Sequence, residues 1–361
     1  MAEAQTVTHL ELPQKLALAQ LERHLWGAAD ILRGKIDSSY YKHYIFGLLF
    51  FKRLSDVWEE EYEQRLAEYH DSELAADPDE QCVQPAVGMS VHDSACGSGG
   101  FLLQAVEYLK DHGKNWKSLS LWGQEINLNT WAICEMNLFL HDVDDAVILC
   151  GDTLRNPRHL VAEGSKTPRT FDRVLANPPF SLKSWGHELW SKGDAFRRDK
   201  YGCPPKSYGD LAFVQHMVAS LKPEGMLGVV LPHGILFRGG AEGKIRKGML
   251  QDDLIDAVIG LAPKLFYGTG IPAYILIVRK SKPEEGRGKV LFVNGEKEYL
   301  EGKNQNSLND ENVPHLAEAF LAHEDKERFG RVVSLEEIEK NDWNLRGPRG
   351  PEDGRAQLPL R

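Results

Sequence analysis

The feature that most constrains this chain is a turn carrying three glycines between two apolar stretches. Residues 89–92 follow Pro85 and Gly88, are apolar-rich and read as a buried strand. Residues 101–109 place apolar side chains at three- and four-residue spacing and read as a helix. Between them Asp93-Ser94-Ala95-Cys96-Gly97-Ser98-Gly99-Gly100 must turn the chain sharply. Gly97, Gly99 and Gly100 can take positive φ and let a ligand lie against bare backbone. A helix that starts at Phe101 also points unpaired N–H groups at such a ligand. A lone Gly-x-Gly-Gly is equally an ordinary strand-to-helix turn, so the weight falls on the residues beyond this helix.

Residues 119–125 read as a second strand ending in Glu125, followed by a helix over 127–141. An acid at the end of the second strand of a nucleotide-binding unit can accept hydrogen bonds from ribose hydroxyls. Residues 147–152 read as a third strand ending in Gly151-Asp152. Asp152 fits two roles equally, a helix cap or an acceptor for an exocyclic amine. Residues 171–176 read as a fourth strand, and Asn177-Pro178-Pro179-Phe180 follows at once. Two prolines stiffen the backbone and end the sheet. That rigidity can aim the Asn177 amide and the Pro178 carbonyl at one NH2 group, drawing on its lone pair, while Phe180 offers a flat face for a base. The four features together describe a nucleotide-like cofactor meeting a planar amine.

Asp93-Ser94-Ala95-Cys96-Gly97-Ser98-Gly99-Gly100-Phe101 resembles the cofactor motif of adenine-specific DNA methyltransferases, and Asn177-Pro178-Pro179-Phe180 resembles their catalytic motif. Further matches lie at Leu25-Trp26-Gly27-Ala28-Ala29-Asp30-Ile31-Leu32-Arg33-Gly34-Lys35, at Gly228-Val229-Val230-Leu231-Pro232-His233-Gly234 and at Gly268-Thr269-Gly270-Ile271-Pro272. From near Leu21 to near Asn344 the chain is similar to the modification (M) subunit of type I restriction-modification systems. The resemblance implies an α/β, Rossmann-like S-adenosylmethionine-dependent methyltransferase fold with a mostly parallel sheet, plus an N-terminal helical region. It implies S-adenosyl-L-methionine as cofactor, held by Asp93, Ala95, Cys96, Gly97, Ser98, Gly99, Gly100, Phe101, Glu125, Asp152, Thr153 and Leu154. It implies methyl transfer to a flipped-out adenine, with Asn177, Pro178, Pro179 and Phe180 as the catalytic set. The implied partners are double-stranded DNA, a specificity (S) subunit, a second M subunit and a restriction (R) subunit.

The sequence also departs from that family. A Phe-Tyr-Thr-Pro-like segment, which holds the methionine part of the cofactor, is not found between Asp71 and Met89, and Ser94 stands where proline is usual. A docking remnant without activity is therefore one rival reading. A protein glutamine methyltransferase is another, because Asn-Pro-Pro-aromatic serves any planar amide.

Composition sets the remaining bounds. The formal net charge of −10 is awkward for a protein gripping DNA alone, since phosphate neutralisation dominates that affinity. Either the charge is segregated or another subunit does much of the gripping, and the resemblance implies the second, a separate specificity subunit. The five cysteines form no Cys-x-x-Cys pair, so reduced thiols are expected and no metal site. No apolar run is long enough to span a bilayer, and a cytoplasmic location is expected. The organisation expected is a helical region over 1–70, a linker over 71–87, the catalytic domain over 88–295, a helical partner-docking region over 296–345 and a disordered tail over 346–361. Within it, Val290 to Asn294 is expected as an edge strand, with Leu316, Phe320 and Leu321 on one helix face. Residues 196–206 form a basic loop, either touching phosphates or simply mobile, and Lys244, Arg246 and Lys247 read as a solvated helix face.

Overall fold

Strand and helix alternate over residues 90–150, as the spacing of apolar side chains requires. The computed structural model describes residues 88–266, 273–302, 305–309 and 311–346, all within one unit, Val83–Arg361. The expected amino-terminal helices and linker, the Gly268–Pro272 match and the tail beyond Arg346 lie outside the described residues. In order, the elements are β1 (Ser90–Asp93), α1 (Gly100–Asp111), β2 (Ser120–Glu125), α2 (Leu128–Leu140), β3 (Val147–Cys150), β4 (Phe171–Ala176) and α3 (His187–Trp190). There follow α4 (Asp210–Ala219), β5 (Leu221–Pro232), α5 (Gly240–Gln251), β6 (Ile255–Leu261) and β7 (Ala273–Arg279). The last are β8 (Lys289–Gly295), α6 (Asn312–Ala322), β9 (Gly330–Ser334) and α7 (Leu335–Lys340).

The strands form one sheet in the order β3-β2-β1-β4-β5-β7-β6-β8-β9. Pairing is parallel from β3 through β5 and between β6 and β8, while β7 runs antiparallel to both its neighbours. Helices cover both faces, so the central strands bury side chains on both sides of the sheet. All seven positions of β6 are buried. Leu102 and Val106 of α1 and Cys134 and Leu138 of α2 pack against β1 and β2 in one core cluster. Leu211, Val214 and Met217 of α4 and Ile245 and Met249 of α5 pack against β4, β5 and β7 in another.

Three expectations need correction. Val290 to Asn294 lies in β8, which is not an edge: β6 pairs with one side and β9 with the other. The region over 296–345 is not wholly helical, because it supplies β9, and Val333 and Ile338 join the central core. The strand was hidden because Gly330-Arg331-Val332-Val333-Ser334 is short and carries one charge, and only pairing with β8 buries it. On α6, Leu316 is buried and Phe320 half-buried, but Leu321 is 76% exposed, so the three do not share a packed face.

Candidate active site

The glycine turn is held by hydrogen bonds that the residue types foretell. Gly97 (φ +56°) and Gly99 (φ +86°) are left-handed, and Gly99 caps α1 without a side chain. A Cβ added to Gly97 or Gly100 would meet nothing within 4 Å, so bare backbone faces open space there. At Gly99 the same Cβ would reach Cys134 Sγ at 3.0 Å, so close packing on α2 also excludes a side chain. Cys96 N–H donates to the Gln124 carbonyl at 3.1 Å, and Asn137 Nδ2 donates to the Ser98 carbonyl at 3.0 Å. Ala95 and Phe101 are half-buried and Ser98 is exposed.

Glu125 meets this turn directly. One carboxylate oxygen accepts the Gly97 N–H at 3.0 Å, and the other accepts the Asn127 N–H at 2.8 Å. Asn127 in turn caps α2. Asp93 is 1% exposed and accepts the Ala95 N–H at 3.0 Å. Burial pushes its carboxyl up to about 7; the Ala95 N–H opposes this and the nearby Glu125 adds to it. The Cys96 thiol lies 3.9 Å from Cys134 Sγ and is raised above the usual thiol range, by that contact first and by burial second.

Strand register gathers the remaining residues. Asp93 pairs with Gly123 of β2 and Leu175 of β4, so Glu125 and Asn177 each lie two residues beyond its partners. Cys150 pairs with Glu125, which places Asp152 two residues past the end of β3. The four sequence-derived positions therefore sit at the carboxyl ends of four adjacent strands, where open α/β sheets bind ligands. Neighbouring strands are about 5 Å apart, which sets the scale of the site.

Each of the others has a distinct setting. Asp152 Oδ1 accepts the N–H groups of Leu154 and Arg155 at 2.9 and 3.0 Å and so holds the turn after β3, where no helix starts. Its Oδ2 leans on Arg155 at 3.5 Å. Thr153 Oγ1 donates to the Ser94 carbonyl at 2.6 Å, tying the end of β3 to the glycine turn. Leu154 is buried, and its carbonyl accepts from Trp190 Nε1 and Arg198. Asn177 is exposed, Pro178 buried, Pro179 exposed and Phe180 half-buried. The Phe180 ring stands edge-on to Phe266 with centroids 5.9 Å apart.

Two matches decide what this arrangement belongs to. A family model described as N-6 DNA Methylase matches residues 79–353, and one described as HsdM N-terminal domain matches residues 21–94. The chain belongs to the N-6 DNA methylase family. A type I restriction enzyme methylase subunit of Methanocaldococcus jannaschii, MjaVII, is 39% identical over 265 residues, which is 71% of this chain and 44% of that protein. The MpnII methylase subunit of Mycoplasma pneumoniae is 35% identical over 263 residues, 71% of this chain and 47% of that protein. The solved type I restriction-modification methyltransferase subunit from Streptococcus thermophilus superposes with a TM-score of 0.63 at 36% identity, covering 73% of this chain and 55% of that one. The chain spans about half the length of the curated relatives it matches.

The N-6 DNA methylase fold explains the Rossmann-like sheet, but two basic segments differ from expectation. Arg198, in the loop over 196–206, is 2% exposed. Its Nε and Nη2 bind both oxygens of Asp194 at 2.8 Å, and it also donates to the Thr153 and Leu154 carbonyls. It is a fastener for the end of β3 and has no face to offer a phosphate. Arg246 is 5% exposed and donates to the carbonyls of Trp343, Ile235 and Arg238, so it is not part of a solvated face. Their sequence neighbours Arg197, Lys200, Lys244 and Lys247 gave no hint that these two arginines turn inward. Asp210, which touches the end of the Asn177–Phe180 loop, was also missed. Its place in Gly209-Asp210 before an apolar run was the available sign, since acids favour a first helical turn. Among the described residues no helix is long and apolar enough to cross a membrane, and no group of three or more His, Cys, Asp or Glu could hold a metal ion.

Proposed function

We propose that this chain is the methyl-transferring part of a type I modification subunit, acting on the N6 amine of adenine in duplex DNA with S-adenosyl-L-methionine as donor. The observation that carries this reading is the joining of the glycine turn to Glu125 by the Gly97 hydrogen bond, beside a strand that ends in Asn177-Pro178-Pro179-Phe180. The open space in front of Gly97 and Gly100 fits a ligand lying on the backbone, and the acids Asp93 and Glu125 suit one bearing positive charge. When bound, S-adenosyl-L-methionine supplies a methyl group on a sulfonium sulfur.

The chain's own residues orient and exclude. Glu125 accepts from ribose hydroxyls with lone pairs left over from Gly97 and Asn127. Asp93, its carboxyl pushed up by burial to about 7, shifts toward the ionised form beside a cation. A flipped adenine stacks on Phe180. Asn177 Oδ1 and the Pro178 carbonyl would accept the two N–H bonds of its amine and draw the nitrogen lone pair out of conjugation with the ring; that nitrogen could then take the donor's methyl group as the carbon–sulfur bond breaks and S-adenosylhomocysteine leaves, its surplus proton passing to solvent. No side chain bonds covalently to either reactant, and placement supplies most of the rate. Duplex DNA, a specificity subunit, a second copy of this subunit and a restriction subunit are the proposed partners.

The test begins with calorimetric titration of the chain with S-adenosyl-L-methionine, then measures methyl transfer to duplex DNA in the presence of a specificity subunit. Asn177→Ala should lower transfer by at least about 100-fold, the scale of a lost positioning contact, while cofactor affinity stays close to that of the unsubstituted chain. A folded chain that binds no cofactor would make it a docking remnant instead. Transfer to a protein glutamine and not to DNA would favour the third reading.

A further inference from the structure

The loop after β4 ends in a residue held in a conformation it would not choose. Ser181 follows Phe180 with φ +54°, in the left-handed region that a residue with a Cβ seldom adopts. Its backbone N–H donates to Asp210 Oδ1 at 2.8 Å. Asp210 is the first residue of α4 and is 1% exposed, and its Oδ2 is buried without a partner. An acid in that interior is costly, and burial pushes its carboxyl up even though the Ser181 N–H pulls it back. The backbone N–H of Asp210 itself, at the helix start, also bonds this carboxyl, but one oxygen reaches outside the helix to the loop. Arg238 is the nearby cation, and it reaches Glu242 at 3.5 Å. A second tie runs alongside, from the Gly209 N–H to the Leu182 carbonyl at 3.0 Å. The fit between the two segments is close: a Cβ on Gly209 would come within 2.7 Å of Trp185 Cβ.

We propose that Asp210 is a positioning residue for methyl transfer: by holding the Ser181 amide in its left-handed corner, it sets the direction in which Asn177, the Pro178 carbonyl and Phe180 face a planar amine. This rests on the reading of residues 177–180 as the catalytic loop. What Asp210 must supply is an acceptor oxygen at one point, not a charge, so Asp210→Asn keeps the function and Asp210→Ala loses it.

The test compares these two variants by hydrogen exchange over residues 177–186, by S-adenosyl-L-methionine titration and by steady-state methyl transfer to duplex DNA with the specificity subunit. In Asp210→Ala, loop exchange should quicken about 10-fold, the scale of one lost hydrogen bond. Its kcat should fall about 100-fold with cofactor affinity within about twofold of the unsubstituted chain. Asp210→Asn should keep both exchange and kcat. If Asp210→Ala does not fold, Asp210→Glu, which displaces the oxygen by one methylene, carries the same comparison. Unchanged exchange and kcat in Asp210→Ala would overturn the proposal, as would Asp210→Asn failing as badly as Asp210→Ala. If the unsubstituted chain transfers no methyl group, the reading of its function fails, and loop exchange still decides whether Asp210 positions the loop.

Discussion

Asp93 shows how one residue can be read correctly by type and still hold its main property in reserve. Its position at a strand end was legible in the sequence, but its 1% exposure was not, because burial depends on everything packed around it. The folded carboxyl titrates at about 7 against an ordinary value of 3.8. As pH rises from about 4 to 7 the unfolded chain gives up this proton first, so stability is lost across that window and stays lost above it. The shift corresponds to a cost on the order of 4 kcal/mol at pH 8. Asp93→Asn, which keeps an acceptor for the Ala95 N–H, should therefore unfold at a higher temperature than the unsubstituted chain at pH 8 and at nearly the same temperature at pH 4. Its affinity for a cationic cofactor should fall. Thermal unfolding at the two pH values and calorimetry check both outcomes. The Cys96 thiol is a quieter case. Reduced thiols were expected, and Cys96 and Cys134 are free and buried.

At the scale of elements, Arg198 is the most deeply buried of the side chains that fasten the segment from β3 to α4. Arg198 lies between Trp190 and Phe196, with its guanidinium carbon 4.7 and 5.1 Å from their ring centroids, and it bridges Asp194 to the carbonyls after β3. The side chains of Arg198 and Asp194 are 0% and 3% exposed. Removing one partner strands the other charge in the interior, which typically costs about 3–5 kcal/mol. Arg198→Met should lower unfolding stability by that amount in denaturant titration. Arg198→Met combined with Asp194→Leu should recover much of the loss, because no lone charge remains. In the sequence this stretch shows only a run of cations with an aromatic residue, and nothing local separates a guanidinium bound for the core from one bound for solvent. The same applies to Arg246, whose three carbonyl partners come from three segments. A cavity of about 550 Å³ opens beside the carboxyl end of α4 and the amino end of β5, lined in part by Arg197, Lys200 and Lys280. Its lysines are already engaged, Lys200 by Asp252 and Lys280 by the Leu221 carbonyl.

For the whole molecule, the decisive quantity is the net charge of −10. A DNA-binding surface works by neutralising phosphates, and this chain carries ten more acids than bases. The isolated chain should bind duplex DNA no more tightly than about 1 µM at physiological salt, the tight end of the nonspecific range. A specificity subunit should tighten binding and make it depend on sequence. Fluorescence anisotropy with a labelled duplex, with and without that partner, measures both. Tight, sequence-dependent binding by the chain alone would refute the division of labour.

What the sequence determined by itself was local: the alternation of strand and helix around the glycine turn, the turn itself, and the placing of Asp93, Glu125, Asp152 and Asn177 at strand ends. Each arises from side-chain periodicity or backbone freedom within a few residues. What only the tertiary structure decided joins residues distant in sequence. The antiparallel insertion of β7 between β5 and β6 and the pairing of β9 with β8 require strands that no short-range pattern links. The inward turn of Arg198 and the grip of Asp210 on Ser181 depend on desolvation, and a side chain's distance from water is settled only when the whole core has closed around it.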